Sequence, residues 1–295
     1  MTRDHKNHYR ISTLVYLDIP LEDALERMVR SGWTSIEIMC EGKHRSILNW
    51  DEEQLNWLDA LTGTNGISWS LHAPIEGVNP TSRDPRIIEQ SFQLLKSAIK
   101  IAERLKSSYV VIHPGFIEDS IPHPTMDLSG YNLLRAKAVT QTADFMRQLI
   151  TLTNGELGIP IALENVPPSA NRFGSDCDFL MDVLHEVKSD RLKILLDVGH
   201  AHMVGSGQSL DELEKCKTHL IGLHLNDNHG NMDEHLAIGQ GTIPFNTLIH
   251  GLKDTDNELI WVLEMVDESD ALDSVTPLDK LRANDDNYAN KGIPL

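Results

Sequence analysis

Eight short runs rich in apolar and β-branched residues recur along the chain, each followed by a longer segment with helical spacing, and this alternation constrains the fold more than any other feature. The runs are Ile11–Leu17, Thr34–Met39, Ile67–His72, Tyr109–His113, Pro160–Glu164, Lys193–Asp197, Leu220–Leu225 and Leu259–Glu264. Several are apolar on both faces, as parallel strands buried on both sides are. The segments between them carry helix signals. Asp84 is placed to cap, Pro85 suits a first turn, and Ile88, Phe92, Leu95, Ile99 and Ala102 repeat on one face. The first helix has Pro20 near its start, Leu21, Leu25 and Met28 on one side, and Gly32 where it should end.

At roughly 150 residues per domain, 295 residues make two ordinary domains or one large barrel. No Pro/Gly-rich linker divides the repeats, so the simplest architecture is a single closed (β/α)8 TIM barrel over residues 1–273, its functional site at the C-terminal mouth. Residues 274–295 are expected to form a short or irregular helix and then a polar tail, Asn284-Asp285-Asp286-Asn287-Tyr288-Ala289-Asn290. An open doubly wound sheet ranks second, because no G-x-G-x-x-G turn follows the first strand.

Forty-four acidic against 26 basic side chains leave a net charge of −18, which opposes non-specific attraction to phosphate backbones and anionic lipid. Cys40, Cys177 and Cys216 are odd in number and widely spaced, which indicates neither a disulfide framework nor a cysteine zinc site and fits a reducing compartment. The polar start of the chain and the lack of a long apolar run suggest a cytoplasmic protein with no membrane partner.

The residues ending strands three to eight carry the functional signal. His72, His113, Glu164, Asp197, His224 and Glu264 are all able to ligate metal, and a closed parallel barrel brings such ends together at one mouth. A single strand-end histidine or carboxylate is ordinarily just a hydrogen-bonded polar group. Six in one concave mouth would repel and lose hydration unless divalent cations organised them. His200, three residues after Asp197, and the pair Asp233 and His235 extend the set. Mixed imidazole and carboxylate donors suit zinc, with manganese or iron as alternatives, better than calcium. His44, His123, His202 and His229 are left out of the site, since a lone loop histidine is usually solvated. Gly239-Gln240-Gly241 reads as a turn before a helix starting near Pro244, and more weakly as a phosphate loop. Lys43-His44-Arg45 is the basic cluster closest to the expected mouth.

These residues resemble the xylose isomerase-like TIM barrel superfamily, also called AP endonuclease family 2, from strand one to strand eight. The metal pattern is most similar to that of endonuclease IV, through Leu71-His72-Ala73-Pro74, Ile112-His113-Pro114-Gly115, Leu163-Glu164-Asn165, Leu196-Asp197-Val198-Gly199-His200, His224-Leu225-Asn226-Asp227, Asp233-Glu234-His235 and Leu263-Glu264. The resemblance implies up to three ions: His72 and His113 on one, Asp197, His224 and Glu264 on a second, His200, Asp233 and His235 on a third. Glu164 would bridge the first two. It also implies Glu164 and Glu264 as the catalytic carboxylates and Arg45 as a substrate contact. Where endonuclease IV carries an aromatic wedge for DNA, this chain reads Ala73-Pro74-Ile75-Glu76.

Metal-dependent phosphoester hydrolysis, of abasic DNA or a smaller phosphorylated substrate, accounts for all nine ligands. Isomerisation or epimerisation of a sugar or sugar phosphate is the alternative, needing one metal and a glutamate pair. A metal-stabilised binding protein without turnover is the third class, because a barrel alone does not settle a reaction.

Overall fold

Each strand is short and is followed by a segment that covers one of its faces, and the eight strands close on themselves instead of forming an open sheet. The structure is a computed structural model that describes residues 8–117, 128–153, 158–205, 208–253 and 258–289. The chain runs β1 (Arg10–Ser12), α1 (Leu21–Arg30), β2 (Ser35–Met39), α2 (Glu52–Asn65), β3 (Ser68–His72), α3 (Pro85–Arg104), β4 (Val110–Ile112), α4 (Leu128–Leu152) and β5 (Ile161–Glu164). It continues with α5 (Cys177–Val187), β6 (Leu192–Asp197), α6 (Val198–Val204), α7 (Gln208–Cys216), β7 (Leu220–Leu225), α8 (Phe245–Gly251), β8 (Ile260–Leu263) and α9 (Glu268–Ala289). All strands pair in parallel and in chain order, and β1 pairs with β8 to close the barrel.

Local chemistry sets the helix boundaries. Asp51 and Gln54 form a reciprocal capping box at the start of α2, and Gly66 ends that helix in the left-handed region. Asp84 caps α3 with Pro85 in its first turn, and Asp176 accepts the Phe179 amide at the start of α5.

Period-two alternation then sorts every strand into two faces. One face joins the large core between sheet and helices, which includes Ile36, Trp69, Leu71, Ile161, Leu163 and Leu196. On the other face Tyr109, Val111, Ala162 and Leu195 form a separate buried cluster. Two residues beyond Val111, Ala162 and Leu195 on that same face stand His113, Glu164 and Asp197, so the pleat itself lifts these candidate site residues above the apolar plug. At the opposite end the buried Arg10 donates to Ser35 Oγ at 3.0 Å and lies over the Tyr109 ring at 5.8 Å.

Two elements differ from expectation. The first strand stops at Ser12, because the Ser12 hydroxyl accepts the Leu14 amide and turns Thr13–Tyr16 into a 3-10 helix. The last helix is long, spanning 22 residues from Glu268, and Ala271, Val275 and Leu278 bury one face of it. The 273/274 boundary read from the sequence falls inside this helix, and residues 290–295 of the expected tail lie outside the described residues. Among the described residues no helix is long and apolar enough to cross a membrane.

Candidate metal centre

The strand ends and the segments that follow β6 and β7 bring the nine sequence-derived candidates into three groups: His72, His113 and Glu164; Glu164, Asp197, His224 and Glu264; and His200, Asp233 and His235. Within each group one donor atom per residue lies within 4.8 Å of every other. Glu164 belongs to two groups. Its Oε2 is 3.1 Å from His72 Nε2 and 2.9 Å from His113 Nε2, while its Oε1 is 2.8 Å from His224 Nδ1. His224 Nδ1 also lies 3.1 Å from Glu264 Oε2. Asp233 Oδ2 stands 3.1 Å from His200 Nε2 and 3.3 Å from His235 Nε2.

The imidazoles are aimed by the nitrogen that faces away from the site. His72, His200 and His235 each donate from Nδ1 to a backbone carbonyl, of Ala73 at 2.9 Å, Asn165 at 2.9 Å and Glu264 at 2.6 Å. A carbonyl only accepts, so in the neutral ring the proton sits on Nδ1 and the Nε2 lone pair faces the carboxylates. His224 is turned the other way. Its Nε2 donates to Glu37 Oε1 at 2.8 Å, which presents Nδ1 to Glu164 and Glu264.

The loops are shaped to the same end. Asp197 caps α6 through the His200 amide, and Gly199 is required beside it, because a Cβ there would stand 2.0 Å from Asn226 Oδ1. Asn165 clips β5 to β6, donating to the Asp197 carbonyl at 2.9 Å and accepting its amide at 2.7 Å. Asn226 Nδ2 reaches Asp197 Oδ2 at 3.1 Å. His235 holds a left-handed φ of 50°, a conformation that costs about 1–3 kcal/mol and is retained where neighbours over-determine it.

With this geometry in place the relationships of the chain can be read. It matches the xylose isomerase-like TIM barrel family over residues 25–286. The chain belongs to that family. Family relatives include an uncharacterized protein of Methanocaldococcus jannaschii, 27% identical over 267 residues, covering 90% of this chain and 86% of the relative. A probable endonuclease 4 of Mycoplasmopsis pulmonis is 26% identical over 191 residues, 60% of this chain and 62% of that protein. Among solved structures, a D-tagatose 3-epimerase-like protein superposes with a TM-score of 0.82 at 26% identity, covering 96% of this chain and 99% of its own.

The electrostatics of this family member fit cations at the three groups. Burial opposes charge on every donor, yet Asp197 and Asp233 lift the His200 pKa to about 10, and the His235 pKa is raised to about 9 by Asp233 and Glu264. Burial likewise opposes ionisation of Glu264, but His224 draws it down to about 2, and His224 and His113 hold Glu164 well below the usual carboxylate range. Burial, with the nearby carboxylates of Glu264, Glu164 and Asp233, pushes Asp197 up to about 6 against the pull of His200. The carboxylates thus demand positive charge at the very nitrogens that would ligate metal. Buried Glu264 Oε1 and Asp233 Oδ1 have no hydrogen-bond partner, which is the condition a cation relieves.

The residues set aside in the sequence have other roles. His44 is fully buried with Nδ1 3.0 Å from Thr13 Oγ1, His202 Nε2 meets Thr242 Oγ1 at 2.9 Å, and the exposed His229 pairs with Glu234; His123 lies outside the described residues. Arg45 is outside the three groups. Its guanidinium donates to the Glu76 carbonyl at 2.9 Å and lies 3.8 Å from Glu41, joining the loops after β2 and β3. In Gly239-Gln240-Gly241 the Gly239 amide donates to Asp227 Oδ2, so a carboxylate of the chain itself occupies the place read as a phosphate loop.

Glu37 is the residue that strand-end reasoning missed. It sits mid-strand in Ser35-Ile36-Glu37-Ile38-Met39, completely buried, with Oε2 accepting from Ser70 Oγ at 2.6 Å. A charged residue inside an otherwise apolar strand was the available signal.

Proposed function

We propose that this chain is a divalent-metal-dependent hydrolase of phosphoesters, acting on a small phosphorylated substrate in preference to abasic DNA. The observation that supports it most is the grouping of nine donors into three cation-sized sets that share Glu164. Divalent ions, zinc first by donor chemistry, would supply Lewis-acid stabilisation of the phosphoryl oxygens and a lowered water pKa when bound. His72, His113 and Glu164 would hold the first, Glu164, Asp197, His224 and Glu264 the second, and His200, Asp233 and His235 the third. Glu264 Oε1, buried and without a hydrogen-bond partner, would accept the proton of the attacking water. The net charge of −18 and Glu76 in the loop after β3 both disfavour a duplex backbone at this mouth.

Sugar epimerisation is a second reading with its own support. The D-tagatose 3-epimerase-like structure covers nearly all of this chain, whereas the endonuclease relative covers 60% of it. In that chemistry Glu164 and Glu264, whose oxygens flank His224 Nδ1 at 2.8 and 3.1 Å, would exchange the proton of a substrate carbon.

Elemental analysis of protein purified without chelator or histidine tag, with anomalous scattering to place the ions, tests the choice. The hydrolase reading expects three ions and turnover of 4-nitrophenyl phosphate or its bis ester, with the Asp233→Ala/His235→Ala double variant losing one ion and at least about a hundredfold in rate. One ion, ketose epimerisation and a mild effect of that double variant would establish the epimerase instead.

A further inference from the structure

Beside His113 the barrel mouth opens into a cavity of ≈ 320 Å³ that none of the three donor groups fills. Its walls are largely apolar, with Ile75, Val78, Phe116 and Val166, and they carry one acidic residue, Glu76, and one basic residue, Arg172. That size lies at the lower end of the range for small-molecule sites and is far too small for a duplex. Phe116 is 38% exposed here although large and apolar, as a ring that contacts a ligand would be.

The walls are fixed in advance. Asn79 Oδ1 accepts the Phe116 amide at 3.1 Å, and Thr81 Oγ1 donates to the Phe116 carbonyl at 2.7 Å, tying the loop after β3 to the loop after β4. The Ile117 amide donates to the Asn171 carbonyl at 2.8 Å, tying the second of these loops to the loop after β5 that carries Arg172. Gly115, at φ +95°, lies so close to Asn79 and Pro80 that a Cβ would stand 2.7 Å from Asn79 Oδ1.

Arg172 is the exception to this saturation. Among the described residues its guanidinium makes no hydrogen bond or ion pair, in a protein whose Arg104, Arg135 and Arg147 all bond carboxylates. Glu76 lines the same cavity but no bond joins it to Arg172, so the guanidinium is available to an oxyanion supplied from outside.

We propose that this cavity is the subsite for the end of the substrate remote from the reacting group. It takes a compact apolar body that ends in a second oxyanion, carboxylate or phosphate, bound by Arg172. The inference rests on the reading that the three donor groups are the reacting centre, but not on which of the two reactions occurs there.

Binding, not turnover, tests it. Titration calorimetry on the zinc-loaded full chain would use three non-hydrolysable probes: benzylphosphonate, 4-carboxybenzylphosphonate and 1,4-xylylene diphosphonate. At least one of the two-headed probes is expected to bind roughly three- to tenfold more tightly than benzylphosphonate, the gain of one charge-assisted pair, and the preferred one identifies the oxyanion. In Arg172→Ala that gain should vanish while benzylphosphonate affinity stays within about twofold, and Arg172→Lys should recover part of it. Equal affinity of all three probes for the wild type, no binding of any, or an undiminished gain in Arg172→Ala would overturn the proposal. Absence of phosphoester hydrolysis with the binding pattern intact would overturn only the hydrolase reading.

Discussion

Glu37 shows how one carboxylate outside the donor set can govern it. The carboxylate selects the His224 tautomer that offers Nδ1 to the site, as outer-shell partners of metal-bound imidazoles generally do. Replacing Glu37 with Ala should weaken zinc binding about 10–100-fold in competition with a chelating dye. Glu37→Gln keeps an acceptor for Nε2–H and should recover much of the loss; equal loss in both variants would refute tautomer selection. Away from the mouth, burial lowers the His44 pKa from its ordinary 6.5 to about 4. The unfolded chain therefore binds the extra proton between those values, so His44 contributes stability that is complete above pH 6.5 and lost as pH falls toward 4. Urea unfolding from pH 7 to 4.5 should show a steeper decline for the wild type than for His44→Gln, and parallel curves would argue against a neutral buried His44.

Among the elements, the loop between β7 and α8 supplies two of the nine candidate donors, Asp233 and His235. Its scaffold is Asp227, which is buried and accepts the amides of Asn228 at 2.9 Å, Ile243 at 3.1 Å and Gly239 at 2.9 Å. The backbone of Asp227 also bridges to Leu236 in both directions at 2.9 Å. Asp227→Ala strands three amides at once and should cost about 2–4 kcal/mol by denaturant unfolding. The same variant should lose the ion of the His200 group before the others in elemental analysis, since His235 keeps its strained φ only while this loop is held.

For the whole molecule, a mouth crowded with buried carboxylates would tie folding to cation binding. Ions that bind only the folded barrel stabilise it by mass action, about 4 kcal/mol at a thousandfold excess over Kd. Treatment with EDTA should therefore lower Tm by on the order of 5 °C or more, and added zinc should restore it. An unchanged Tm after verified metal removal would mean that protons on His200, His224 and His235 balance the site equally well.

Much of this was legible before any coordinates. The helix that ends at Gly32, the Asp84-Pro85 start of α3 and the strands ending at His72, Glu164 and Asp197 follow from short-range signals, since caps, turns and period-two alternation act within a few residues. The length of α9 was not, because its buried face of Ala271, Val275 and Leu278 is interrupted by polar residues and by Pro277, and packing on the barrel outweighs that weak local pattern.

The sequence by itself determined the alternation of strands and helices and the nine donor types, because these rest on short-range pattern and residue chemistry, and the pairing of β1 with β8 then closed the barrel and brought the strand ends together. Tertiary structure alone decided which oxygen of Glu164 faces which imidazole, that Glu37 stands behind His224, that Arg45 bonds the Glu76 carbonyl and that Arg172 lines the cavity beside His113. Those outcomes depend on contacts between residues tens to hundreds of positions apart, where the direction of a side chain is set by the neighbours that closure brings and not by the residues beside it in the chain.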